Sequence, residues 1–532
     1  MPPGIGLCVV VNDLRGHGDR LVKQPWFKKV EENPLVRSVL QSKEMADIEK
    51  VRGNVEKQLG VDLNQLRDDI LGDAIVLGHQ APPPGQPDGD RGIVLIKARD
   101  AALLTKLIAN INNLQMQNGE LKEVVPLQHG NVTYYRRSAA RSTQFYVQQG
   151  PVLMVASHEE LLFAALERGP MTPSPILDHL RRAKADGALA AIWFDPRTLD
   201  AQIDKSRKKR FDADGTLLDG TVQFWKGLDA VVVSVSDPER PEMRVTLLTG
   251  AGNDARKWLS SNLAASDLWR RFPEKTILAG AGRVDFGQLF GAVQNLAAAK
   301  DRAKLEEVLT KYVVAVTGLD FKRQIAPNIG PDVGFAVFRV DDKDLLPAGL
   351  VALAVKPEPT PPADKTVLNA IRFLGTLAVI DHNNRSPNTI RMREERQGSV
   401  EVNYLDQPKA FPPGVQPAVA LKDGYLVLAT SPRAIAMFRP GPTPPVERGE
   451  IPLLKLSAGE SAKMMERHRD VLTAALVAKG PDTQESARRI VDGLIAGVRV
   501  FESMQVLQQT SAESSSWIVR LVPAKETEDS NK

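Results

Sequence analysis

The residue types that most often carry chemistry are few and widely spaced in this chain. Cys8 is its only cysteine, which excludes an intrachain disulfide framework and a zinc site built on several thiolates. Because Cys8 lies in an apolar run, we interpret it as a buried small hydrophobe. No two histidines are four residues apart, and no HExxH motif occurs. The histidines are His17, His79, His129, His158, His179, His382 and His468.

A glycine-rich segment, GAGRVDFG at 280–287, is a candidate dinucleotide-binding loop. Asp285 stands where the third glycine of GxGxxG belongs, and the matching segment near the N-terminus, VVVNDL, has no glycine. We therefore predict a strand here. Neither a phosphate-cradling GxxxxGK[ST] loop nor a GxSxG nucleophile elbow is present.

The string FDADGTLLDG at 211–220 is similar to the DxDGT motif of the haloacid-dehalogenase phosphatase superfamily. The resemblance implies that Asp212 attacks phosphorus, that Asp214 is the general acid/base, and that magnesium bridges them. That motif follows a buried strand, whereas here KSRKKR at 205–210 precedes it. A calcium loop through Asp212, Asp214 and Asp219 is a second alternative, although the 12-residue pattern is absent. We favour a solvated acidic turn beside a basic helix end.

Composition excludes several classes of protein. Of 532 residues, 42% are hydrophobic and 25% charged, which rules out a wholly disordered or fibrous chain. The net charge of +4 predicts no nucleic-acid partner. The longest apolar candidate, Leu345 to Val355, is interrupted by Pro347 and Gly349 and is too short to span a bilayer. The sequence therefore predicts no transmembrane segment.

An internal similarity is the most informative feature of the sequence. LGVDLNQLRDDILG at 59–72 aligns without gaps with TGLDFKRQIAPNIG at 317–330, and GPVLMVAS at 150–157 aligns with GYLVLATS at 424–431. Both halves end in two alternating apolar segments, the first from Leu228 and the second from Phe501. We predict an α+β fold of two tandem homologous repeats, each a mostly antiparallel sheet with helices packed against it. The predicted domains are the first repeat at 2–250, a linker helix at 251–271, the second repeat at 272–523 and a disordered tail at 524–532.

Short patterns also predict where helices begin and end. Gly60 and Gly318 are expected to terminate helices, and Asp62 and Asp320 to start the next ones. Ser157-His-Glu-Glu160 has the pattern of a capping box, and Ser431 followed by proline predicts a second helix start.

The repeat with its LGVDL…LGD segment, the opening strand and WFKKVEENPLVRSVL resembles an uncharacterised bacterial family, a domain of unknown function that is often exported. The resemblance implies a cell-envelope or exported protein and offers no catalytic residues to carry over. This chain has no charged n-region followed by an apolar h-region. A cytoplasmic location is expected if its N-terminus is the natural one, and removal of a signal or tether before Pro2 stays open.

The sequence therefore favours a non-catalytic binding or scaffold module, of the bacterial cell envelope by resemblance, with an unknown protein or small molecule as partner. No catalytic, cofactor-binding or metal-binding residue and no cofactor is assigned. The first alternative is a carrier that holds an apolar ligand between sheet and helices, for which a large dry cavity would be diagnostic. The second is a metal-dependent phosphatase that uses Asp212 and Asp214.

Overall fold

The strands follow the apolar alternation that the sequence predicts. The computed structural model describes residues 1–81, 91–140, 142–168, 174–204, 222, 224–236, 238–250, 264–285, 307, 311, 314–318, 320, 325, 328–341, 346–356, 363–407, 409–442, 449–480 and 483–525. The strands are β1 Leu7–Asn12, β2 Ala74–Gln80, β3 Arg91–Lys97, β4 Leu121–His129, β5 Val132–Ala139, β6 Thr143–Gln149, β7 Val152–Ala156, β8 Ala190–Phe194, β9 Leu228–Val235, β10 Glu242–Thr249, β11 Thr276–Arg283, β12 Ile329–Phe338, β13 Ala348–Val355, β14 Arg391–Gln397, β15 Val400–Asp406, β16 Ala418–Lys422, β17 Tyr425–Ala429, β18 Glu450–Ser457, β19 Phe501–Thr510 and β20 Ser514–Pro523.

Helices lie between the strands in both halves of the chain. They are α1 Leu14–Lys23, α2 Pro25–Glu32, α3 Pro34–Leu40, α4 Lys43–Leu59, α5 Ala101–Gln117, α6 Glu159–Glu167, α7 Pro175–Arg182, α8 Ala363–Arg385, α9 Pro432–Met437, α10 Ala458–Arg467, α11 Arg469–Lys479 and α12 Gln484–Val498. Short helical turns cover Leu63–Gln65, Leu66–Ile70, Pro196–Leu199, Asp267–Arg270 and Val314–Thr317. None of the helices in the described part of the chain is long and apolar enough to cross a membrane, in line with the sequence.

The twenty strands of the described residues form one antiparallel sheet. Their pairings give the order β4-β5-β6-β7-β3-β2-β1-β8-β9-β10-β20-β19-β18-β11-β12-β13-β17-β16-β15-β14. We call β1–β10 the first arm and β11–β20 the second arm. Counted outward from the pairing of β10 with β20, the strand order is the same in the two arms.

The predicted fold class is wrong in its organisation, although the α+β character is present. We expected two tandem repeats that each had a sheet of their own. Instead β10 pairs with β20, from Glu242 opposite Arg520 to Leu248 opposite Ser514, and joins all strands into a single sheet. Two separate sheets would leave a row of unpaired backbone groups on each of these strands, and their pairing satisfies those groups. The predicted linker and tail lie mostly in 251–263 and 526–532, outside the described residues.

The side chains of the sheet divide into two faces across its whole width. Register partners share a face, so one row of partners traces what we call the back face. The row is Leu153, Ile96, Ile75, Val11, Ala190, Val235, Met243, Val519, Val506, Leu454, Gly280, Phe335, Val351 and Leu428. The alternate residues form the front face.

Each arm has a main core on the front face. In the first arm, α6 and α7 pack against side chains that include Cys8 and Trp193. In the second arm, α9 and the turn Asp267–Arg270 pack against strands that include Ala336 and Val427. Smaller apolar clusters lie on the back face, beneath α5 in the first arm and beneath α8 in the second.

A buried ionic cluster stabilises the junction between the arms. Arg520 on β20 binds Glu450 on β18 through two bonds of 2.9 and 2.6 Å, and its Nε lies 2.5 Å from Glu242 on β10. All three side chains are at most 10% exposed. Burial disfavours the charged form of Arg520, but the hydrogen bonds to Glu450 and Glu242 outweigh it and raise its pKa. The cluster therefore depends on every partner being present.

Helices of the two arms also meet directly. The Asn33 side chain, which caps α3, donates a 2.8 Å hydrogen bond to the carbonyl of Gly493 in α12. A Cβ atom at Gly493 would lie 2.2 Å from Leu35 Cγ, so this approach requires glycine.

Most of the predicted helix boundaries agree with the structure. Gly60 ends α4 with φ of 64°, and Gly318, with φ of 70°, ends the turn Val314–Thr317. Asp62 accepts from the amides of Asn64 and Gln65, which confirms it as a helix start. Asp320 is described, but residues 321–324 after it are not, so its predicted role is not tested.

The two predicted serine caps differ in outcome. Ser431 caps α9, as expected, by accepting from the amide of Ala434. The predicted capping box at Ser157 is wrong, because its Oγ accepts from the amide of Gly92 at 2.9 Å and thereby joins β3 to the end of β7. Thr430 makes the corresponding bond to Gly349 in the second arm, at 3.0 Å.

Candidate ligand cleft in the second arm

An apolar cleft of about 630 Å³ lies between α8 and the back face of the second arm. Its floor consists of alternate residues of neighbouring strands, because a period of two directs them to one face. Val351 on β13 and Leu428 on β17 are register partners at its centre, with Phe335 and Val419 beside them. Val351 and Leu428 are 47% and 40% exposed, so the floor is open to solvent.

Helix α8 forms the roof of the cleft. Leu368 and Ala370 are buried, and Leu368 packs against the sheet near the start of the helix. Ile371 and Gly375 line the cleft farther along. A Cβ atom at Gly375 would lie 3.2 Å from Met392 Cε across the cleft. The absence of a side chain at Gly375 therefore keeps space open between helix and sheet.

One end of the cleft is polar. Arg372 on α8 donates to Glu401 on β15 at 2.8 Å, and its Nη2 lies 3.7 Å from Glu394 on β14. Asn403, which is 4% exposed, donates to the same Glu401 oxygen at 3.3 Å. Among the described residues that line the cleft, Arg372 is the charged one. The cleft therefore combines an apolar body with a single hydrogen-bonding end.

The corresponding region of the first arm has a different character. Val94 and Val155 occupy the positions of Val351 and Leu428 but are partly buried. The groove beside α5 has a volume of about 700 Å³ and walls that are about equally polar and apolar. Tyr135 and Tyr146 stack there at 4.9 Å, and Asn112 donates to the hydroxyl of Tyr146 at 3.3 Å.

None of the described residues that the sequence suggested for chemistry lines the cleft. Asp212, Asp214 and Asp219, with the basic run 205–210, lie outside the described residues. Gly280 lies within β11 and pairs with both Phe335 and Leu454. The segment GAGR at 280–283 is therefore a strand, as predicted. Within the described residues, no group of three or more His, Cys, Asp or Glu side chains could hold a metal ion.

Cys8 is fully buried in the front core of the first arm, which confirms its interpretation as a packed hydrophobe. Burial raises the pKa of its thiol to about 11. Its thiol is therefore protonated at neutral pH, and no reactive thiolate is available there.

Sequence reasoning missed the cleft because no motif marks it. A weak signal is present in FLGTLAVI at 373–380, where apolar residues occupy several sides of one helix. A helix of that kind requires apolar contacts on more than one side. Comparison of the chain with models of known protein families, with curated proteins and with solved structures finds no match.

Proposed function

We propose that this protein is a non-catalytic binding protein and that the cleft beneath α8 holds a mainly apolar small ligand. The observation that supports this proposal is the volume and lining of the cleft. About 630 Å³ lies within the roughly 300–1,000 Å³ of small-molecule sites, which are mostly apolar with few polar groups. The apolar lining suits the carrier that the sequence left as an alternative, but the cleft is open to solvent and is not the closed, dry cavity expected of it.

The driving force for binding would be removal of apolar surface from water. Val351 and Leu428 are nearly half exposed on the floor, and each CH₂ group buried against them contributes about 0.8 kcal/mol. An acyl or alkyl chain therefore gains affinity with its length until the cleft is full. The preformed strands of the floor need little rearrangement to accept it.

Filling the cleft tests this proposal. Purified protein is titrated with the neutral dye Nile red, whose fluorescence rises in apolar surroundings. The variant Gly375→Leu places a side chain between helix and sheet and favours the helix, so we expect affinity to fall about tenfold without loss of stability.

Two control variants define the site. Ala378→Leu adds the same side chain at an exposed position of α8, and Leu77→Gln removes a 42% exposed apolar side chain from the back face of the first arm. Both should bind the dye as the unaltered protein does. Equal affinity of Gly375→Leu and the unaltered protein would refute the proposed site.

A further inference from the structure

The charges at the polar end of the cleft are balanced. Arg372 is held by Glu401 at 2.8 Å and lies 3.7 Å from Glu394. Arg396 is the register partner of Glu401, so it lies on the same face of the sheet. These two cations and two anions sum to zero, and a ligand of either sign meets no net attraction.

The hydrogen bonds restrict the ligand further. An anionic head group at Arg372 lies beside the carboxylates of Glu401 and Glu394, and a cationic head group at Glu401 lies beside the guanidinium of Arg372. Either charged head therefore meets a like charge that already belongs to a pair, and this repulsion opposes its binding. A guanidinium has five N–H donors and a carboxylate has about four acceptor positions, so an uncharged head can bind both without displacing either.

We infer that the ligand is an uncharged amphiphile, with an aliphatic body in the cleft and a hydroxyl, ester or amide head at Arg372 and Glu401. This inference rests on the proposed function, because it assigns the ligand class of the same cleft. The apolar floor at Val351 and Leu428 selects the body, and the neutral ionic cluster selects the head.

The test compares three amphiphiles of equal chain length: 1-dodecanol, dodecanoate and dodecyltrimethylammonium. Each competes with Nile red at concentrations below micelle formation. We expect 1-dodecanol to bind the unaltered protein at least about tenfold more tightly than either charged compound. Because an alcohol is also the most apolar of the three, the decisive measurement is how charge variants change the ratios.

Two reciprocal variants test whether the balance of charge selects the head group. Glu401→Gln frees Arg372 and should raise the affinity for dodecanoate relative to 1-dodecanol about tenfold. Arg372→Gln frees the carboxylates and should do the same for dodecyltrimethylammonium. Arg393→Gln changes the net charge as Arg372→Gln does but lies on the front face, paired with Asp406, and should alter neither ratio.

The outcomes separate the two proposals. If no amphiphile displaces the dye, the proposed function itself is wrong. If dodecanoate binds the unaltered protein as tightly as 1-dodecanol, or if neither reciprocal variant shifts its ratio, the cleft is a ligand site but the head-group inference is overturned. Shifts of equal size in Arg393→Gln would also overturn it, because they would reflect overall charge alone.

Discussion

The long helix on the back face is anchored firmly in the first arm and loosely in the second. In the first arm, α5 buries Leu104 and Leu107 in a cluster with Leu153 of the sheet, and Asn110 donates to the carbonyl of Leu59 in α4 at 2.7 Å. In the second arm, α8 buries Leu368 and Ala370 at one end. Four of its other apolar side chains are 46–51% exposed, namely Phe373, Leu374, Leu377 and Ile380.

This difference shows how one strand order can produce two kinds of surface. In the first arm, the part of the back face beneath α5 serves as core, because a well-packed helix covers it. The back face of the second arm keeps Val351 and Leu428 accessible. A contiguous exposed apolar surface of this kind is typical of binding sites. The comparison therefore supports the proposed ligand site in the second arm and predicts that stability depends more on the first arm and on the junction.

The largest effect is expected where the two arms join. Arg520→Ala leaves Glu450 buried without its main partner and leaves Glu242 to Arg240 and Arg244, and should lower the free energy of unfolding by about 3–5 kcal/mol. Urea unfolding measures this change. Arg385→Ala removes an ion pair whose arginine is 76% exposed and should cost no more than about 1 kcal/mol. Similar small losses in both variants would mean that the arms do not depend on this cluster.

The two helices should respond differently to truncation of a leucine. Leu104→Ala in α5 removes a side chain that is 1% exposed and should cost about 2–5 kcal/mol. Leu377→Ala in α8 removes one that is 46% exposed and should change stability by about 0.5 kcal/mol or less. Thermal unfolding of the two variants compares them directly. Equal losses would contradict the difference in anchoring.

Alkaline pH should lower the stability of the protein, because Cys8 is buried in the front core of the first arm. Its pKa is about 11 in the folded chain, above the roughly 8.5–9 of an unfolded thiol. The stabilisation is complete below the unfolded pKa and is lost as pH rises toward 11. Between about pH 9 and 10 the loss should be about 1.0–1.2 kcal/mol. Chemical unfolding at several pH values checks this, and the pH slope of Cys8→Ala should be shallower, whatever that variant's own stability.

The smallest effect should come from the helix start in the segment that both halves share. Asp62→Ala removes a cap with bonds of 2.8 and 2.9 Å and should cost about 1 kcal/mol in thermal unfolding. Asp47→Ala, at an exposed site of α4, is the control and should change stability by about 0.5 kcal/mol or less. We expect Asp320→Ala to match Asp62→Ala. If only Asp62→Ala lowers the stability, the two segments are alike in sequence but not in how they start a helix.

Local physical chemistry explains which expectations succeeded. Gly60 ends α4 because glycine adopts a positive φ readily, and Asp62 caps the next turn through amides two and three residues away. The apolar alternation from Leu228 and from Phe501 gave the paired strands β9–β10 and β19–β20. Ser157 failed as a cap because a distant amide, that of Gly92, competed for the same oxygen.

The sequence by itself determined the strands, most of the helix boundaries and the burial of Cys8, since these follow from periodicity and from contacts within a few residues. Only the tertiary structure decided that β10 pairs with β20, because backbone hydrogen bonding between strands hundreds of residues apart leaves no pattern in side-chain types. It also decided that Val94 and Val155 are partly covered while Val351 and Leu428 line a cleft. All four are apolar strand residues, and their difference lies in how the helix above each pair is held.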